Sequence, residues 1–195
     1  MQVLVVLAHP NEDSLNHAVA QRAVAALRSC GHDVDLLDLY ALGFRAAMSP
    51  EERHAYHTDA PILDAMVAEH AALLSTAEAL VFVYPTWWSS LPAILKGWVE
   101  RVFVPGVGFR FNKAGKVRPG IPHVRHVIGI STYGSPWPYV KFVNDNGRRT
   151  ILRTVRLNAG WRTRTKWFPL YKIDTCTPAD IEAFMVKVER GMRSL

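Results

Sequence analysis

Cysteine is scarce in this chain: Cys30 and Cys176 are its two thiols, and no CxxC spacing occurs. Neither a disulfide framework nor a thiolate metal site is indicated, and both thiols read as packing residues. No apolar run approaches the roughly 20 residues of a membrane span. The N-terminal VLVVLA run is too short for a signal peptide and lacks its basic flank, so the expectation is a cytoplasmic protein without membrane insertion. Neither GxGxxG nor GxxxxGK[ST] follows that run, which removes the main evidence for a dinucleotide-binding Rossmann domain or a P-loop nucleotidase. Internal repeats and low-complexity segments are missing too.

Acidic residues thin out in the second half. Residues 1–100 hold 5 Lys/Arg against 12 Asp/Glu, a net of −7; residues 101–195 hold 18 against 5, a net of +13 within the overall +6. Arg148, Arg149, Arg153, Arg156, Arg162, Arg164 and Lys166 follow one another without an intervening acid. Such a segment is a solvated face, a site for phosphorylated cofactors or a nucleic-acid surface. No nucleic-acid motif accompanies the charge, so no nucleic-acid partner is expected.

What is present is ample apolar material, 49% of 195 residues, enough for one domain over 1–195 with a sizeable core. Continuous apolar runs at 3–8 and 80–84 have the pattern of strands buried on both faces. Further strands are predicted at 34–39, 124–131 and 162–171. Helical spacing of Leu15, Ala18, Val19, Ala23, Ala26 and Leu27 predicts a helix that stops near Gly31. Other helices are predicted over 62–74, 91–104 and 146–158. A last one starts at Thr177, with Pro178 in its first turn and Asp180 favouring its N-terminus. Residues 40–60 read as irregular, broken at Pro50. Five strands interleaved with helices imply a mostly parallel sheet covered on both sides. Ligands of such sheets bind beyond the carboxyl ends of the strands, which singles out the loops at 9–16, 85–91 and 132–139.

Each of these loops is unusual. In HPNEDSLN, His9, Ser14 and Asn16 sit on a turn into a helix, where amides, hydroxyls and side-chain amides favour a phosphate; Asp13 or Ser14 is equally a simple N-cap. In PTWWSSL, Trp87 and Trp88 must plug a core or wall a pocket for something flat, since exposed indole is costly. In STYGSPWPYV, Gly134 permits close backbone approach and the prolines stiffen the loop, whose amides suit the carbonyls of a flat heterocycle or form a rigid turn.

LAHPNEDSLN at 7–16, DLYALGF at 38–44, YPTWWSSLPAILKGWVERVF at 84–103 and STYGS at 131–135 with Tyr139 following together resemble the flavodoxin-fold NAD(P)H:quinone oxidoreductases. That family includes soluble flavoproteins associated with bacterial potassium-efflux systems. The resemblance covers roughly the first 140 residues and implies a flavodoxin-like α/β fold, a five-stranded parallel sheet of order 2-1-3-4-5 with helices on both faces. It implies FMN or FAD as cofactor and NAD(P)H as co-substrate. Pro85, Thr86, Trp87, Trp88 and Ser89 take the position of the loop along the flavin ring. His9, Ser14, Leu15 and Asn16 match the flavin-phosphate loop; Thr132, Tyr133, Gly134 and Ser135 match the loop over the ring's polar edge. Trp98 falls on the apolar stripe of its helix and reads as core.

Tyr139 matches a tyrosine that stabilises charge on reduced flavin in the mammalian-type enzymes. There a histidine follows six residues later, where this chain has Asp145, and Tyr133 replaces the first glycine of the usual TTGG. Asp145 is expected to be exposed or helix-capping. The implied activity is ping-pong two-electron reduction of quinones or similar flat electrophiles by hydride transfer, in a homodimer. The alternative is a flavin-binding regulatory subunit of a membrane ion antiporter, its basic face docked on an acidic partner.

Overall fold

In the computed structural model, which describes residues 1–195, the runs without a polar residue become the centre of a sheet. β1 (Gln2–Leu7) lies between β2 (Asp33–Asp38) and β3 (Ala79–Pro85). Every residue of β3 is buried, as a strand covered on both faces requires. Beyond β3 come the strands His126–Thr132 and Arg164–Leu170, and the five run parallel in the expected order.

Helices cover both faces. α1 (Leu15–Ser29) shares one core with the C-terminal helix Pro178–Arg193, through Val19, Ala23 and Leu27 against Phe184, Val188 and Met192. The second core packs two helices, Ala65–Thr76 and Ala93–Val102, on the other side around Trp98, which is fully buried as predicted. The C-terminal helix starts where its sequence indicates. Thr177 Oγ1 accepts from Asp180 N–H at 3.2 Å, and the Asp180 carboxylate accepts from Thr177 N–H at 2.9 Å.

The segment 40–60 is more ordered than expected. Pro50 opens a short helix, α2 (Pro50–Ala55), because Ser49 and Glu52 form a reciprocal capping box and the first turn needs no proline N–H. Chain order then makes Ala65–Thr76 α3 and Ala93–Val102 α4. Asp64 caps α3, accepting from Met66 N–H at 2.9 Å, so that helix starts at Ala65 rather than at 62.

One buried charge cluster fastens this segment to α4. Arg101, with 1% of its side chain exposed, donates to Glu52 through Nε at 2.9 Å and Nη2 at 2.5 Å, to Asp64 at 2.8 Å and to the Arg45 carbonyl at 2.5 Å. Its guanidinium also lies 5.1 Å from the centre of the Phe44 ring. Burial pushes the Glu52 carboxyl up, but Arg101, the Ser49 amide and Arg45 outweigh it and hold the group below the usual carboxylate range. Close approach also requires Gly97: a Cβ there would meet the Ala46 carbonyl oxygen at 2.2 Å.

Further elements escaped the sequence reading or differ from it. A hairpin, β4 (Phe109–Phe111) and β5 (Val117–Pro119), makes a separate two-stranded sheet, so His126–Thr132 is β6 and Arg164–Leu170 is β7. A short helix, α5 (Trp137–Phe142), occupies the supposed rigid loop. The helix predicted over 146–158 is present but interrupted: α6 (Asn146–Arg149), a π-helical turn Thr150–Val155, then α7 (Arg156–Ala159), which leaves Pro178–Arg193 as α8. No helix is long and apolar enough to cross a membrane.

Candidate functional site

The parallel register brings the carboxyl ends of β1, β3 and β6 to one edge, and the three loops named from sequence leave from there. They are cross-linked. Asn16, 3% exposed, donates from Nδ2 to Thr132 Oγ1 at 3.2 Å, joining the first loop to the third. Thr86 N–H donates to the Thr132 carbonyl at 2.8 Å, and the hydroxyls of Thr86 and Ser131 lie 2.8 Å apart, joining the second to the third.

Between the loops lie two adjoining hollows. One, of about 640 Å³, is lined by Pro85, Trp87, Trp88, Thr132, Ile173 and Asp174 among others. A smaller one, of about 210 Å³, is lined by Ser89, Tyr133, Tyr139 and Val140, and the two share Thr86, Trp88, Gly134 and Ser135. Ile173 and Asp174 come from a 3-10 turn after β7 that no motif announced. A Cβ on Gly134 would sit 3.2 Å from an Asp174 carboxylate oxygen, so the glycine makes room for that side chain.

Local backbone geometry explains the tryptophans. Trp87 and Ser90 exchange both backbone hydrogen bonds, and the two residues between them, Trp88 and Ser89, have φ of 48° and 58°. This is a tight turn of the mirror-image kind without the usual glycine, held at a strain of roughly 1–3 kcal/mol per residue. It points Trp88 outward, where the residue is 100% exposed, while Trp87 is half-buried with its ring 5.9 Å from that of His9. Neither indole plugs the core; both line the larger hollow. The N–H groups of Trp88, Ser89, Gly134 and Ser135 have no acceptor within the chain.

In the first loop, Ser14 caps α1. His17 Nε2 is 2.8 Å from Asp38, an acceptor, so Nε2 carries the proton and Nδ1 accepts the Ser14 hydroxyl at 3.0 Å. The Ser14 oxygen also takes the His17 N–H at 3.3 Å. Its side chain is thereby engaged inside the chain, as the N-cap alternative read from the sequence has it. Leu15 packs its side chain against the core of α1 and α8 instead of the cleft. His9 Nδ1 lies 3.1 Å from both the N–H and the carbonyl oxygen of Asn11, which holds the ring within the loop and leaves Nε2 without a partner, and burial lowers its pKa toward the neutral ring. His17 and Asp38 were not singled out from sequence, although Asp38 opens the DLYALGF stretch.

The third loop holds the largest departure from expectation. Asp145 is 8% exposed rather than solvated: it holds the N-cap position of α6 with a φ of 42°, but its side chain makes no cap hydrogen bond and turns to another partner. The buried Tyr133 hydroxyl donates to it, at 3.1 and 3.3 Å from the two carboxylate oxygens. Burial pushes the carboxyl up, and the Tyr133 hydrogen bond with the nearby Arg148 and Arg149 offsets this only in part. Tyr133 lines the smaller hollow with its hydroxyl bonded to Asp145, and its N–H is spent on the Leu170 carbonyl. Tyr139 is half-exposed on α5, at the rim of the smaller hollow.

The basic segment does not form one face. Arg148 and Arg149 lie near the carboxyl ends of the strands. Arg162 and Arg164 line a cleft of about 560 Å³ with Arg125, His126 and Trp161 at the amino ends, far from the three loops. Burial, then Lys166, Arg164 and Arg125, depress the His126 pKa there. Arg156 donates to the Thr163 and Trp161 carbonyls, and Lys166 to the Gly191 carbonyl near the end of α8; these two are structural.

A sequence profile described as flavodoxin-like fold matches residues 1–179. The chain is 34% identical over 134 residues to a ribosyldihydronicotinamide dehydrogenase-like protein of Penicillium crustosum, an alignment covering 62% of this chain and 50% of that protein. It is 31% identical over 150 residues to NAD(P)H dehydrogenase [quinone] 1 of Rattus norvegicus, covering 69% and 54%. The chain thus spans about half the length of these curated relatives. The crystal structure of Smu.1420 from Streptococcus mutans UA159 superposes with a TM-score of 0.83 at 27% identity, over 100% of both chains.

Proposed function

This chain belongs to the flavodoxin-like fold family, and on that footing we propose that it binds a flavin, FMN or FAD, and uses NAD(P)H to reduce quinones or similar flat electrophiles by two electrons in the cytoplasm. The observation that carries this reading is that four backbone N–H groups without an acceptor in the chain, those of Trp88, Ser89, Gly134 and Ser135, belong to residues lining the two adjoining aromatic-walled hollows. Such a donor set suits the carbonyl oxygens and ring nitrogens of a flavin's polar edge. A bound flavin supplies hydride transfer between nicotinamide and acceptor.

The protein's part is binding and electrostatics. The N-terminus of α1, with His9 beside it, receives the phosphate. The four amides are fixed before any charge develops, so they stabilise negative charge at the ring edge without reorganising. Tyr139 adds a hydroxyl donor at the rim. One cleft serves both NAD(P)H and acceptor, which occupy it in turn and give ping-pong kinetics. Trp88, fully exposed in one chain, is covered in a homodimer. Both relatives named above carry dehydrogenase names, one of them a quinone dehydrogenase. Nothing favours the antiporter-subunit alternative.

The test is reconstitution of the purified chain with FMN and with FAD, followed by NAD(P)H oxidation with and without a naphthoquinone, and sedimentation of the same sample. Bound yellow flavin, quinone-dependent turnover with parallel double-reciprocal lines and a dimer mass are expected. Failure to retain either flavin refutes the reading.

A further inference from the structure

Two side chains in which the sequence departs from the pattern it resembles, Tyr133 and Asp145, meet in the fold. Tyr133 stands at the end of β6 and lines the smaller hollow beside Thr86 and Tyr139. Asp145 lines a different cavity, a cleft of about 340 Å³ whose wall includes Trp137, Lys141, Arg148, Arg149 and Tyr171. The hydrogen-bonded pair thus spans the partition between the ring pocket and a cleft open to water. We propose that Asp145 and Tyr133 form a proton path across this partition, delivering to the acceptor oxygen the proton that hydride transfer leaves wanting. The proposal rests on the quinone-reducing reading above.

The chemistry requires such a path. A quinone that gains a hydride becomes a hydroquinone anion and needs one further proton to become the neutral hydroquinone. The hydride, with its electron pair, comes from NAD(P)H; the proton comes from the protein. In the transfer, the Tyr133 O–H bond breaks as the O–H bond of the product forms, the Asp145 proton moves to the Tyr133 oxygen, and water in the cleft reprotonates Asp145. No net charge accumulates on the tyrosine. This matters because burial and the Asp145 charge push the Tyr133 pKa far up and forbid a free phenolate.

The sense of the hydrogen bond acts as the gate. With Asp145 ionised, the Tyr133 hydroxyl donates to it and its proton is committed away from the pocket. With Asp145 protonated, the carboxyl donates to the tyrosine oxygen, and the tyrosine proton is released toward the side on which Thr86 stands. A neutral Asp145 is accessible because burial raises its pKa. The groups facing it are Tyr133 from β6, Tyr171 and Tyr84, both neutral phenols with raised pKa, and the cations Arg148 and Arg149 of its own helix, which limit the rise. Left-handed backbone at Asn144 and Asp145, φ 77° and 42°, turns the carboxylate inward to this position.

Asp145→Asn and Tyr133→Phe in the flavin-loaded protein test the path, with flavin affinity and circular dichroism as controls on folding. Rapid mixing should show that NAD(P)H reduces the bound flavin at a rate within about two-fold of the native chain. Reoxidation by a quinone should slow about 10- to 100-fold, the range of a lost general acid, with its pH dependence flattened and its solvent isotope effect changed. Asp145→Glu should recover part of the rate. Independently of any cofactor, infrared difference spectra of the flavin-free chain between about pH 4 and pH 8 should show a protonated carboxyl titrating above the range of exposed carboxylates, absent from Asp145→Asn. A turning-over native protein whose Asp145→Asn variant reoxidises at the same rate with the same pH profile overturns the path alone, as does an Asp145 found ionised throughout. A native chain that binds flavin poorly and reduces no quinone overturns the functional reading, and the path with it.

Discussion

Arg101→Met removes the only cation that is buried beside Glu52. Met matches the length of the arginine stem, so the loss is chiefly of charge and hydrogen bonds. Breaking one partner out of a buried pair costs about 3–5 kcal/mol. Glu52 retains the Ser49 amide at 2.6 Å and Arg45 at 3.1 Å, while Asp64, with 30% of its side chain exposed, regains water. The cost therefore belongs near the lower end, about 3 kcal/mol, or a melting point lower by roughly 6–12 °C for a chain of this size.

The pH dependence has a definite sign. In the native protein Glu52 is held below its unfolded value, so its contribution is present above that value and is lost as pH falls through the folded pKa. In Arg101→Met burial is far less opposed and the group moves the other way, so the variant recovers as Glu52 takes up a proton. The gap between the two proteins should narrow from about pH 7 to about pH 4. Urea unfolding across that range measures it, with Arg101→Met/Glu52→Leu expected to be more stable than the single variant. A single-variant cost below about 1 kcal/mol, or a gap that widens in acid, refutes the reasoning.

Two other outcomes follow from the same kind of reading. His70, 1% exposed, accepts the Trp98 indole N–H at 3.2 Å on Nδ1, and burial lowers its pKa; the unfolded chain binds a proton near pH 6.5 that the native state resists, so stability falls as pH drops below about 6.5. Acid titration of His70→Gln by urea unfolding should show a shallower loss. Tyr139→Phe should slow flavin reduction by roughly ten-fold or less without weakening flavin binding, since a rim donor on a half-exposed residue strengthens only as charge develops; stopped-flow reduction rates decide it.

The centre of the sheet was legible because β1 and β3 are written as nearly uninterrupted apolar runs, while β2 shows through the alternation of its aspartates with apolar residues. The site's outline was legible through loop position alone. Asp145 was not. A carboxylate next to asparagine before two arginines has the spelling of a solvated helix start, and only the three-dimensional arrival of Tyr133 from β6 reveals it as buried. Pro50 misled for the opposite reason: the helix it starts is announced by Ser49 and Glu52, a local signal that a proline read as a break conceals. The orientation of His17 beside Ser14 depends on Asp38 at the end of β2, 21 residues away, which spacing cannot supply.

The two outer strands bear on what this molecule refuses to do. β7 carries Pro169 in its interior and Arg164 and Lys166 near its start, and β2 carries Asp33, Asp35 and Asp38. A proline is admissible at a sheet margin because one side has no ladder to feed, and it denies that side to a newcomer. With charges of one sign along each margin, like margins repel as well. Like margins are thus kept apart by charge, and at the β7 margin, where an acidic β2 margin would otherwise be drawn, Pro169 interrupts the ladder that a second sheet would need.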